Sequence, residues 1–430
     1  MSTSLFDVFY SSSGICTDTR EIKQGSLFIC IKGENFNGNT FALKALKAGA
    51  SHVILDHKEY FVDDGTMTLV KDSVIYLHQL AKFHRQKFDI PVIGITGSNG
   101  KTTSKELINA VLSTKHNVLA TIGNLNNHLG VPFTLLQINE SHDIAIIEMG
   151  ANHFGDIREL CEIAEPTHGI ITNIGKAHLA GFINFDGVLN TKKELYDSIE
   201  KSKGVIIVND DDKTLMSNLP KGIKNHSYGT HGKENIHGEL IGLSPFVEMK
   251  WNSNSFKSKV LETQMIGKYN FYNYLAAITF GVVFNIPNED ISNAIATYTP
   301  TNNRSQVKKT TSNTLILDCY NANPTSVTSA LESFAMNQNP DKLFILGDMK
   351  ELGSESKQEH LNILRLAEKL NLKGYVVGPE LSAIQSSSIL NQFQNTRELI
   401  ENLASAPLKN KLILLKGSRS IGLEKLEPSL

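Results

Sequence analysis

Short apolar runs, each followed by glycine or polar residues and then by a helical pattern, recur along most of the chain. In the central part they occupy residues 91–96, 144–149, 169–174 and 205–208. In the last third they occupy residues 314–317, 342–346, 374–377 and 412–415. Fully apolar short strands that alternate with helices are typical of parallel sheets covered on both faces. The pattern therefore predicts an α/β protein.

The pattern of apolar and polar residues changes near residues 90 and 302, which predicts three domains. Residues 1–88 predict a small α/β unit, with strands at 26–31 and 52–55 and a helix at 39–50. Residues 89–301 predict a central parallel-sheet domain, to which the alternating segment 218–258 adds antiparallel strands. Residues 302–430 predict a third, Rossmann-like α/β domain. The length of 430 residues agrees with about three domains of ordinary size.

Composition narrows the class of protein. Hydrophobic residues make up 40% and charged residues 20%, which is typical of globular proteins. The formal net charge of −2 argues against a chain that coats nucleic acid or an anionic membrane. No apolar run reaches the roughly 18 residues of a spanning helix, and the first five residues contain neither a basic nor an apolar stretch. We therefore expect a cytoplasmic protein that neither binds nucleic acid nor inserts into membranes, and we expect a monomer.

The spacing of the cysteines excludes two further kinds of structure. Cys16, Cys30, Cys161 and Cys319 are far apart and form no C-x-x-C pair. This spacing favours free thiols in a reducing compartment and excludes a disulfide scaffold or a zinc-ribbon site.

The segment Gly-Ser-Asn-Gly-Lys-Thr-Thr at 97–103 predicts a phosphate-binding loop between a strand and a helix. Its glycines allow a tight turn whose N–H groups point at an anion, and the helix N-terminus favours the same anion. Lys101 would reach the β- and γ-phosphates and the Thr102 hydroxyl would hold Mg²⁺. Ile95 stands where the longer Walker pattern has glycine, so the shorter G-x-x-G-K-T form fits. The residues expected to bind the nucleotide are Gly97, Ser98, Asn99, Gly100, Lys101, Thr102 and Thr103.

Two alternatives to an ATP site were considered. A glycine turn can cap a helix without binding anything, but a G-K-T-T run directly after an apolar strand disfavours that interpretation. The guanine-specific N-K-x-D pattern is absent from a suitable position after the loop, which favours ATP over GTP.

Further strings, taken in order, resemble the Mur ligases, the ATP-dependent amide ligases of peptidoglycan assembly. In the first two domains they are Thr-Asp-Thr-Arg at 17–20, Phe-Ile-Cys-Ile-Lys-Gly-Glu at 28–34, Asn-Leu-Asn-Asn-His-Leu-Gly-Val-Pro at 124–132, Glu-Met-Gly-Ala-Asn-His at 148–153, Asn-Ile-Gly-Lys-Ala-His-Leu-Ala-Gly-Phe at 173–182 and Gly-Lys-Tyr-Asn-Phe-Tyr-Asn at 267–273. In the third they are Asp-Cys-Tyr-Asn-Ala-Asn-Pro at 318–324, Leu-Gly-Asp-Met-Lys-Glu-Leu-Gly at 346–353 and Lys-Gly-Ser-Arg-Ser at 416–420. The strings of the third domain look like those of the branch that joins D-alanyl-D-alanine to UDP-N-acetylmuramoyl-tripeptide.

The resemblance implies a reaction and a metal site. The terminal carboxylate of the tripeptide attacks the γ-phosphate of ATP, and the amine of D-alanyl-D-alanine attacks the resulting acyl phosphate. Lys101 and two Mg²⁺ ions would neutralise the anions that meet in the first step. Thr102, Glu148, His178 and Lys192 match the family's metal-site residues, with Lys192 carbamylated. Lys193 leaves this register uncertain by one residue, and Tyr196, four residues after Lys192, favours Lys192.

The resemblance also implies nucleotide and substrate contacts. Asn270 and Asn273 would contact the adenine, although Asn270 could also cap a helix. Arg304 and Asp318 match residues near the nucleotide; Asn303 departs from the glycine or histidine that the family has before this arginine. Asn127 looks like an asparagine close to the γ-phosphate, with a turn as the alternative. The remaining expected substrate contacts are Thr19, Arg20, Asn37 and Gly38 for the UDP end, and Asn321, Asn323, Lys416, Ser418 and Arg419 for the dipeptide or the nucleotide.

Three other functions were weighed. The preceding enzyme of the family adds the third amino acid to a UDP-dipeptide, but its Asp-x-x-Arg acceptor string is not visible in the last domain. Folylpolyglutamate ligase shares the G-K-T loop but not the nucleotide-sugar domain. A P-loop switch or binding module would need no second metal-binding Glu and His.

Overall fold

A computed structural model gives the fold and describes residues 5–33, 36–175, 182, 184–243 and 245–430. In this part of the chain, three separate sheets form the centres of an N-terminal, a central and a C-terminal unit. The fold is therefore α/β in three domains, as the pattern of apolar runs predicts.

The N-terminal domain is a small parallel sheet with helices packed on it. Its strands are β1 (Ile15–Cys16), β2 (Leu27–Ile29), β3 (Lys32–Gly33), β4 (Phe36–Asn37), β5 (His52–Leu55) and β6 (Met67–Leu69). The helices are α1 (Asp7–Tyr10), α2 (Ala42–Lys47) and α3 (Ser73–Arg85), with 3₁₀ turns at Gly38–Phe41 and Lys58–Tyr60. The sheet order is β1-β2-β5-β6, and β3 pairs with β4 as a hairpin. The predicted helix at 39–50 is shorter, because its first turn is 3₁₀.

Helix α3 was not predicted, although its sequence encodes it. Asp72 caps it by accepting a hydrogen bond from Ile75 N at 2.8 Å. Its buried residues Tyr76, Leu77 and Leu80 belong to one apolar cluster with Val92 and Ile147 of the central domain. The N-terminal domain is thereby fixed to one face of the central sheet.

The central domain is built on the largest sheet. Its strands are β7 (Val92–Thr96), β8 (Val118–Ala120), β9 (Ile144–Glu148), β10 (His168–Ile171), β11 (Val205–Asn209), β12 (Lys224–Gly229), β13 (Ile236–Gly242), β14 (Glu248–Ser253), β15 (Phe256–Lys257) and β16 (Leu261–Glu262). The helices are α4 (Lys101–Leu112), α5 (Gly130–Leu135), α6 (Asp156–Ala164), α7 (Phe185–Lys201), α8 (Lys213–Ser217), α9 (Lys268–Val283) and α10 (Asn288–Thr297).

The strand order of this sheet is β15-β14-β13-β12-β11-β10-β7-β9-β8, with β16 beside β14. Strands β7 to β13 run parallel, whereas β13, β14, β15 and β16 pair antiparallel. The predicted antiparallel addition at 218–258 is therefore correct only from β13 onward, because β12 pairs parallel with β11. Strands β7, β9 and β10 are neighbours, so the residues that follow them meet at one edge.

The C-terminal domain has the sheet order β17-β18-β22-β19-β20-β21, with β17 antiparallel at the edge. Its strands are β17 (Gln306–Lys309), β18 (Thr314–Leu317), β19 (Lys342–Gly347), β20 (Gly374–Val377), β21 (Ile389–Phe393) and β22 (Leu412–Lys416). The helices are α11 (Pro324–Met336), α12 (Ser356–Lys369), α13 (Pro379–Ser382) and α14 (Thr396–Ser405), with 3₁₀ turns at Gly353–Glu355, Arg419–Ile421 and Leu423–Ser429. Separate apolar clusters cover the two faces of this sheet.

In the described residues, no helix combines the length and the apolar character needed to cross a bilayer.

Candidate active site

The glycine loop connects β7 to α4 and is held by the segment after β10. Gly97 and Gly100 have φ angles of 143° and 81°, in the range that favours glycine. A Cβ on Gly97 would lie 2.0 Å from Thr172 Oγ1, so no side chain fits there. Asn99 N donates to Asn173 Oδ1 at 3.0 Å, and Thr172 Oγ1 donates to Asn99 O at 2.6 Å. The loop has the shape that the sequence predicts.

Lys101 is the first residue of α4 and folds back over its own loop. Its Nζ donates to Gly97 O at 2.7 Å and to Ser98 O at 3.3 Å. Burial lowers the pKa of Lys101; the charge of Glu148 opposes this shift and that of Arg304 adds to it. Thr102 is buried beside it, and Ser98 Oγ donates to Gly175 O at 3.1 Å.

Glu148 ends β9 and is 2% exposed, which rules out a surface carboxylate. Its Oε1 accepts a hydrogen bond from Asn126 Nδ2 at 2.7 Å. Among the described residues, Oε2 has no hydrogen-bond partner although it is buried. A buried carboxylate oxygen without a donor or cation is costly, so this atom fits a ligand for a metal ion.

Asn126 contacts Glu148 but was not predicted from the sequence, whereas its neighbour Asn127 was. The Asn127 side chain accepts hydrogen bonds from Leu129 N at 3.2 Å and Gly130 N at 2.8 Å, and so holds the start of α5. Asn126 instead contacts Glu148, and its carbonyl accepts from Gly150 N at 2.7 Å. The two adjacent asparagines in the sequence indicated a functional residue here, but the sequence does not indicate which of the two side chains contacts Glu148.

A buried lysine on α4 joins the glycine-loop helix to the segment that carries Asn126. Lys105 is 1% exposed and donates from Nζ to Thr121 O at 2.5 Å. It also pairs with Glu106 Oε1 at 2.8 Å. Thr121 Oγ1 in turn accepts from Glu148 N at 3.0 Å. Lys105 therefore supports the position of Glu148 through Thr121, a role that the sequence analysis did not foresee.

Lys192 lies in α7 and is 2% exposed. Burial first, and the nearby charge of Lys101 second, lower the pKa of Lys192 to about 7. Lys193, the next residue, points outward and pairs with Asp197 at 3.5 Å. Tyr196 is buried on the same side of the helix as Lys192. Burial thus favours the neutral amine, the form that reacts with CO₂, at Lys192.

A chain of buried amides runs from α4 to the C-terminal domain. Ser104 Oγ donates to Asn273 Oδ1 at 3.1 Å, and Asn273 Nδ2 donates to Asn270 Oδ1 at 2.9 Å. Asn270 Nδ2 donates to Ile266 O at 2.7 Å and to Ser305 Oγ at 3.0 Å. Asn270 does not cap α9, because Gly267 holds the N-cap position. Both asparagines line the cavity described below.

Two arginines flank the ring of Tyr320. The guanidinium carbon of Arg304 lies 3.9 Å from the ring centroid and that of Arg419 lies 5.2 Å from it. Within the described part of the chain, the buried Nε of Arg304 has no partner. Both guanidinium groups thus form cation–π contacts with the same aromatic ring at the cavity wall.

The C-terminal domain contributes strand ends and one contact across the domain boundary. Lys416 Nζ pairs with Asp318 Oδ2 at 2.9 Å and donates to Asn321 O at 3.0 Å. Asn323 caps α11 and donates from Nδ2 to Asn99 Oδ1 in the glycine loop at 2.7 Å. Ser418 is buried and accepts from Lys350 N at 2.9 Å.

These groups surround one cavity of about 890 Å³ between the central and C-terminal domains. Its lining includes the expected residues Ser98, Asn99, Gly100, Lys101, Thr102, Thr103, Asn127, Glu148, Asn270, Asn273, Arg304, Asp318, Asn321, Asn323, Lys416 and Arg419. Of the residues expected in these two domains and described by the structure, Gly97, Lys192 and Ser418 are not part of this lining. The glycine loop of the central domain and cationic side chains of the C-terminal domain therefore line a single space.

The expected UDP contacts lie in the N-terminal domain, away from this cavity. The Arg20 side chain is 85% exposed and pairs with Asp18, whose pKa it lowers to about 2. Asn37 accepts from Asn39 N at 3.1 Å. A Cβ on Gly38 would lie 2.5 Å from Ile31 O, so the chain needs glycine there. Thr19 is half-buried beside Arg20.

His178 lies outside the described residues, so the structure does not place it. Over the described ranges, no group of three or more His, Cys, Asp and Glu side chains is arranged to hold a metal ion. His128 and His153 are both exposed.

The site combines a glycine loop at the edge of a parallel sheet, a buried carboxylate beside it and a third domain that faces both. This combination defines a nucleotide-dependent enzyme of the three-domain ligase class. Residues 11–86 match the family described as Mur ligase family, catalytic domain; residues 95–281 match the Mur ligase middle domain; and residues 303–419 match the Mur ligase, glutamate ligase domain.

Relatives and solved structures agree with these matches. The chain is 33% identical to UDP-N-acetylmuramoyl-tripeptide--D-alanyl-D-alanine ligase of Bacillus subtilis, over 97% of this chain and 93% of the relative. It is similar to the crystal structure of MurF from Acinetobacter baumannii, with a TM-score of 0.88, 32% identity and coverage of 97% and 92%. It is also similar to MurF ligase from Thermotoga maritima in complex with ADP, with a TM-score of 0.86, 26% identity and coverage of 98% and 97%. The chain belongs to the Mur ligase family.

Proposed function

We propose that this chain joins D-alanyl-D-alanine to UDP-N-acetylmuramoyl-tripeptide with the conversion of ATP to ADP and phosphate. The observation that carries the proposal is the near full-length similarity to ligases named for this reaction. The cavity between the central and C-terminal domains provides a place where nucleotide, donor and acceptor can meet. The reaction is a step in the synthesis of peptidoglycan precursors.

The chemistry proceeds in two displacements. The terminal carboxylate of the tripeptide attacks the γ-phosphorus of ATP, ADP leaves, and an acyl phosphate forms. The amine of D-alanyl-D-alanine then attacks the acyl carbon, loses a proton, and phosphate leaves as the amide forms. Lys101 would stabilise the negative charge that develops on the γ-phosphate, because its ammonium lies over the glycine loop.

Two Mg²⁺ ions would be held close to the glycine loop. The buried Oε2 of Glu148 would provide one anionic ligand, the Thr102 hydroxyl a second ligand, and His178 and a carbamylated Lys192 would complete the set. When bound, these ions supply positive charge to the phosphates. Asn126 orients the Glu148 carboxylate by its 2.7 Å hydrogen bond, so it belongs to the site as a positioning residue.

The remaining site residues form groups, each of which would bind a different substrate. Asn270, Asn273, Arg304 and Asp318 would contact ATP together with the glycine loop. Thr19, Arg20, Asn37 and Gly38 would bind the UDP end, and Asn127 would lie near the γ-phosphate. Asn321, Asn323, Lys416, Ser418 and Arg419 would face the dipeptide or the nucleotide.

The organisation that we propose is a UDP-sugar-binding domain at 1–88, an ATP-binding domain at 89–301 and a C-terminal domain at 302–430. The balanced charge and the small-molecule substrates favour a cytoplasmic monomer.

The test is phosphate release by the purified chain with ATP and Mg²⁺, with each of the other substrates omitted in turn. We expect release only when both UDP-tripeptide and D-alanyl-D-alanine are present. Release with a UDP-dipeptide and a single amino acid would instead identify the preceding enzyme of the family. Nucleotide binding without release under any combination would identify a binding module.

A further inference from the structure

We propose that Ser305 is a positioning residue that holds nucleotide contacts from two domains in place at the junction between them. The inference rests on the proposed function, in which Asn270 of the central domain and Asp318 of the C-terminal domain contact ATP. Ser305 is 3% exposed and belongs to the cavity lining. Neither the sequence pattern nor the family resemblance gave this serine a role.

The hydroxyl of Ser305 faces the central domain. Its Oγ accepts a hydrogen bond from Asn270 Nδ2 at 3.0 Å and forms another, 2.8 Å long, with the Tyr269 hydroxyl. Both partners lie in the first turn of α9. A serine hydroxyl offers one donor and two acceptor positions, so these two bonds use most of its capacity. Because the residue is almost fully buried, its hydroxyl acts through these neighbours.

The bond from Asn270 matters because it fixes the direction of a chain of amides. The second N–H of Asn270 Nδ2 is directed to Ile266 O at 2.7 Å, and a carbonyl oxygen can only accept. Asn270 Oδ1 therefore faces Asn273, whose Nδ2 donates to it at 2.9 Å. Asn273 Oδ1 in turn accepts from Ser104 Oγ of α4 at 3.1 Å. Ser305 thus helps to set which way the Asn273 amide points beside the glycine loop.

The backbone of Ser305 holds the C-terminal domain. Ser305 N donates to Asp318 Oδ1 at 3.2 Å. Ser305 directly precedes β17, whose Gln306 pairs with Leu317 of β18, so Ser305 stands opposite Asp318 in the same register. The other carboxylate oxygen of Asp318 pairs with Lys416 at 2.9 Å. The Asp318 carboxylate is therefore oriented from both sides.

The conformation of the junction supports a specific use for this side chain. Asn303 and Ser305, on either side of Arg304, have φ angles of 56° and 51°, in the left-handed region. Asparagine is enriched in this region, whereas a glycine at 305 would fit with less strain than serine. Such a conformation persists where the surrounding contacts impose it. Two of the three hydrogen bonds of Ser305 need the hydroxyl that glycine lacks.

The experiment removes this hydroxyl in Ser305→Ala and measures steady-state kinetics and the affinity for ADP by calorimetry. We expect the KM for ATP and the Kd for ADP to rise about tenfold, as for the loss of one hydrogen-bonding group whose partner stays buried. The kcat and the KM for UDP-tripeptide should not change, because only uniform binding of the nucleotide is lost. Ser305→Gly removes the same hydroxyl and suits the left-handed backbone. It should give the same rise, and it replaces Ser305→Ala if that variant does not fold.

The matched control is Ser292→Ala, on a buried serine of α10. Ser292 is 5% exposed, accepts a hydrogen bond from Trp251 Nε1 at 3.1 Å and is not part of the cavity lining. This variant also leaves a buried aromatic donor without its partner. It should lower the Tm while the KM for ATP and the Kd for ADP stay at the wild-type values.

A double variant shows whether Ser305 acts through Asn270. In an Asn270→Ala background, Ser305→Ala should change the Kd for ADP less than twofold, because the amide that it positions is gone. An unchanged Kd in the folded single variants, a full tenfold effect in the Asn270→Ala background, or an equal rise in Ser292→Ala overturns the proposal. ADP binding does not require the ligase reaction. Absence of dipeptide-dependent phosphate release by the wild-type chain would therefore contradict the proposed function separately.

Discussion

Lys192 and Lys193 are adjacent in sequence, and the fold places them in opposite environments. The first is buried in α7 with its pKa lowered to about 7, and the second pairs with Asp197 at the surface. An amine must be neutral to react with CO₂, so the burial of Lys192 supports the carbamate that we propose at this residue. The tertiary structure thus favours one of the two registers that the sequence left open.

Lys192→Ala should nearly abolish phosphate release, because the chain would lose an oxygen ligand of the proposed metal site. Added acetate or formate should restore part of the activity by occupying the vacated position. Lys193→Ala should have a mild effect, since a solvated helix lysine contributes little. The measurement is phosphate release by both variants across a carboxylate titration. An active Lys192→Ala variant, or a Lys193→Ala variant that is inactive until acetate is added, would show that Lys192 is not the carbamylated residue.

Lys101→Ala should reduce the turnover rate at least about 10³-fold, which is typical for the loss of one strong electrostatic stabiliser of a transition state. Folding should be preserved, because Lys101 contacts only carbonyls of its own loop in the described structure. Circular dichroism and thermal unfolding of the variant give the control. A well-folded Lys101→Ala with near-normal turnover would rule out the assignment of the glycine loop to the γ-phosphate.

At the scale of elements, helix α4 links both sides of the site. Lys101 starts the helix at the glycine loop, and Lys105, one turn later, holds Thr121 in the segment that delivers Asn126 to Glu148. One rigid helix therefore sets the distance between the phosphate loop and the carboxylate. The apolar face of α4, with Leu107, Ile108 and Val111, packs in the core and fixes the helix itself.

Lys105→Met should lower kcat/KM for ATP through the position of Glu148, and its effect should depend on Asn126. In a double-mutant cycle with Asn126→Ala, residues of one network typically couple by about 0.5–3 kcal/mol. Lys115→Met, just beyond the same helix, removes a partly exposed lysine paired with Asp290 and serves as the control. Additive effects of Lys105→Met and Asn126→Ala would mean that the two residues act independently.

At the scale of the whole molecule, the domains differ in how they are joined. The N-terminal and central domains share one apolar cluster, and His78 of α3 donates to His128 O at 2.7 Å. The C-terminal domain faces the central domain across the cavity, with Asn323 bonded to Asn99. In the function that we propose, the N-terminal domain would bind the UDP end of the donor, and the central domain would bind its reacting carboxylate. The shared apolar cluster connects these two domains firmly.

Arg20→Ala should raise the KM for UDP-tripeptide about tenfold, as expected for the loss of a charge-assisted contact, without changing the KM for ATP or D-alanyl-D-alanine. The reason is that Arg20 lies in the N-terminal domain, outside the cavity lining. Steady-state kinetics with each substrate varied in turn provide the measurement, and Lys47→Ala in the same domain is the control. A defect confined to ATP would place the nucleotide-sugar site in a different domain.

The sequence by itself determined the fold class, the domain order and the location of the glycine loop. Local signals were sufficient for these features: β5 and β18 span the residues predicted for them or nearly so, because each is a compact apolar run bounded by polar residues. Short edge strands such as β8 and β21 were not predicted, since few of their residues are buried and neither strand forms a compact apolar run.

Tertiary structure alone decided which side chains meet. The choice between Asn126 and Asn127, the burial of Lys192 and the contact of Lys105 with Thr121 depend on the relative placement of α4, β9 and α7. Pairings of Asn270 with Ser305 and of Asn323 with Asn99 cross domain boundaries. No local pattern encodes such contacts, because they arise only when parallel strands bring their carboxyl ends to a common edge and a second domain closes over it.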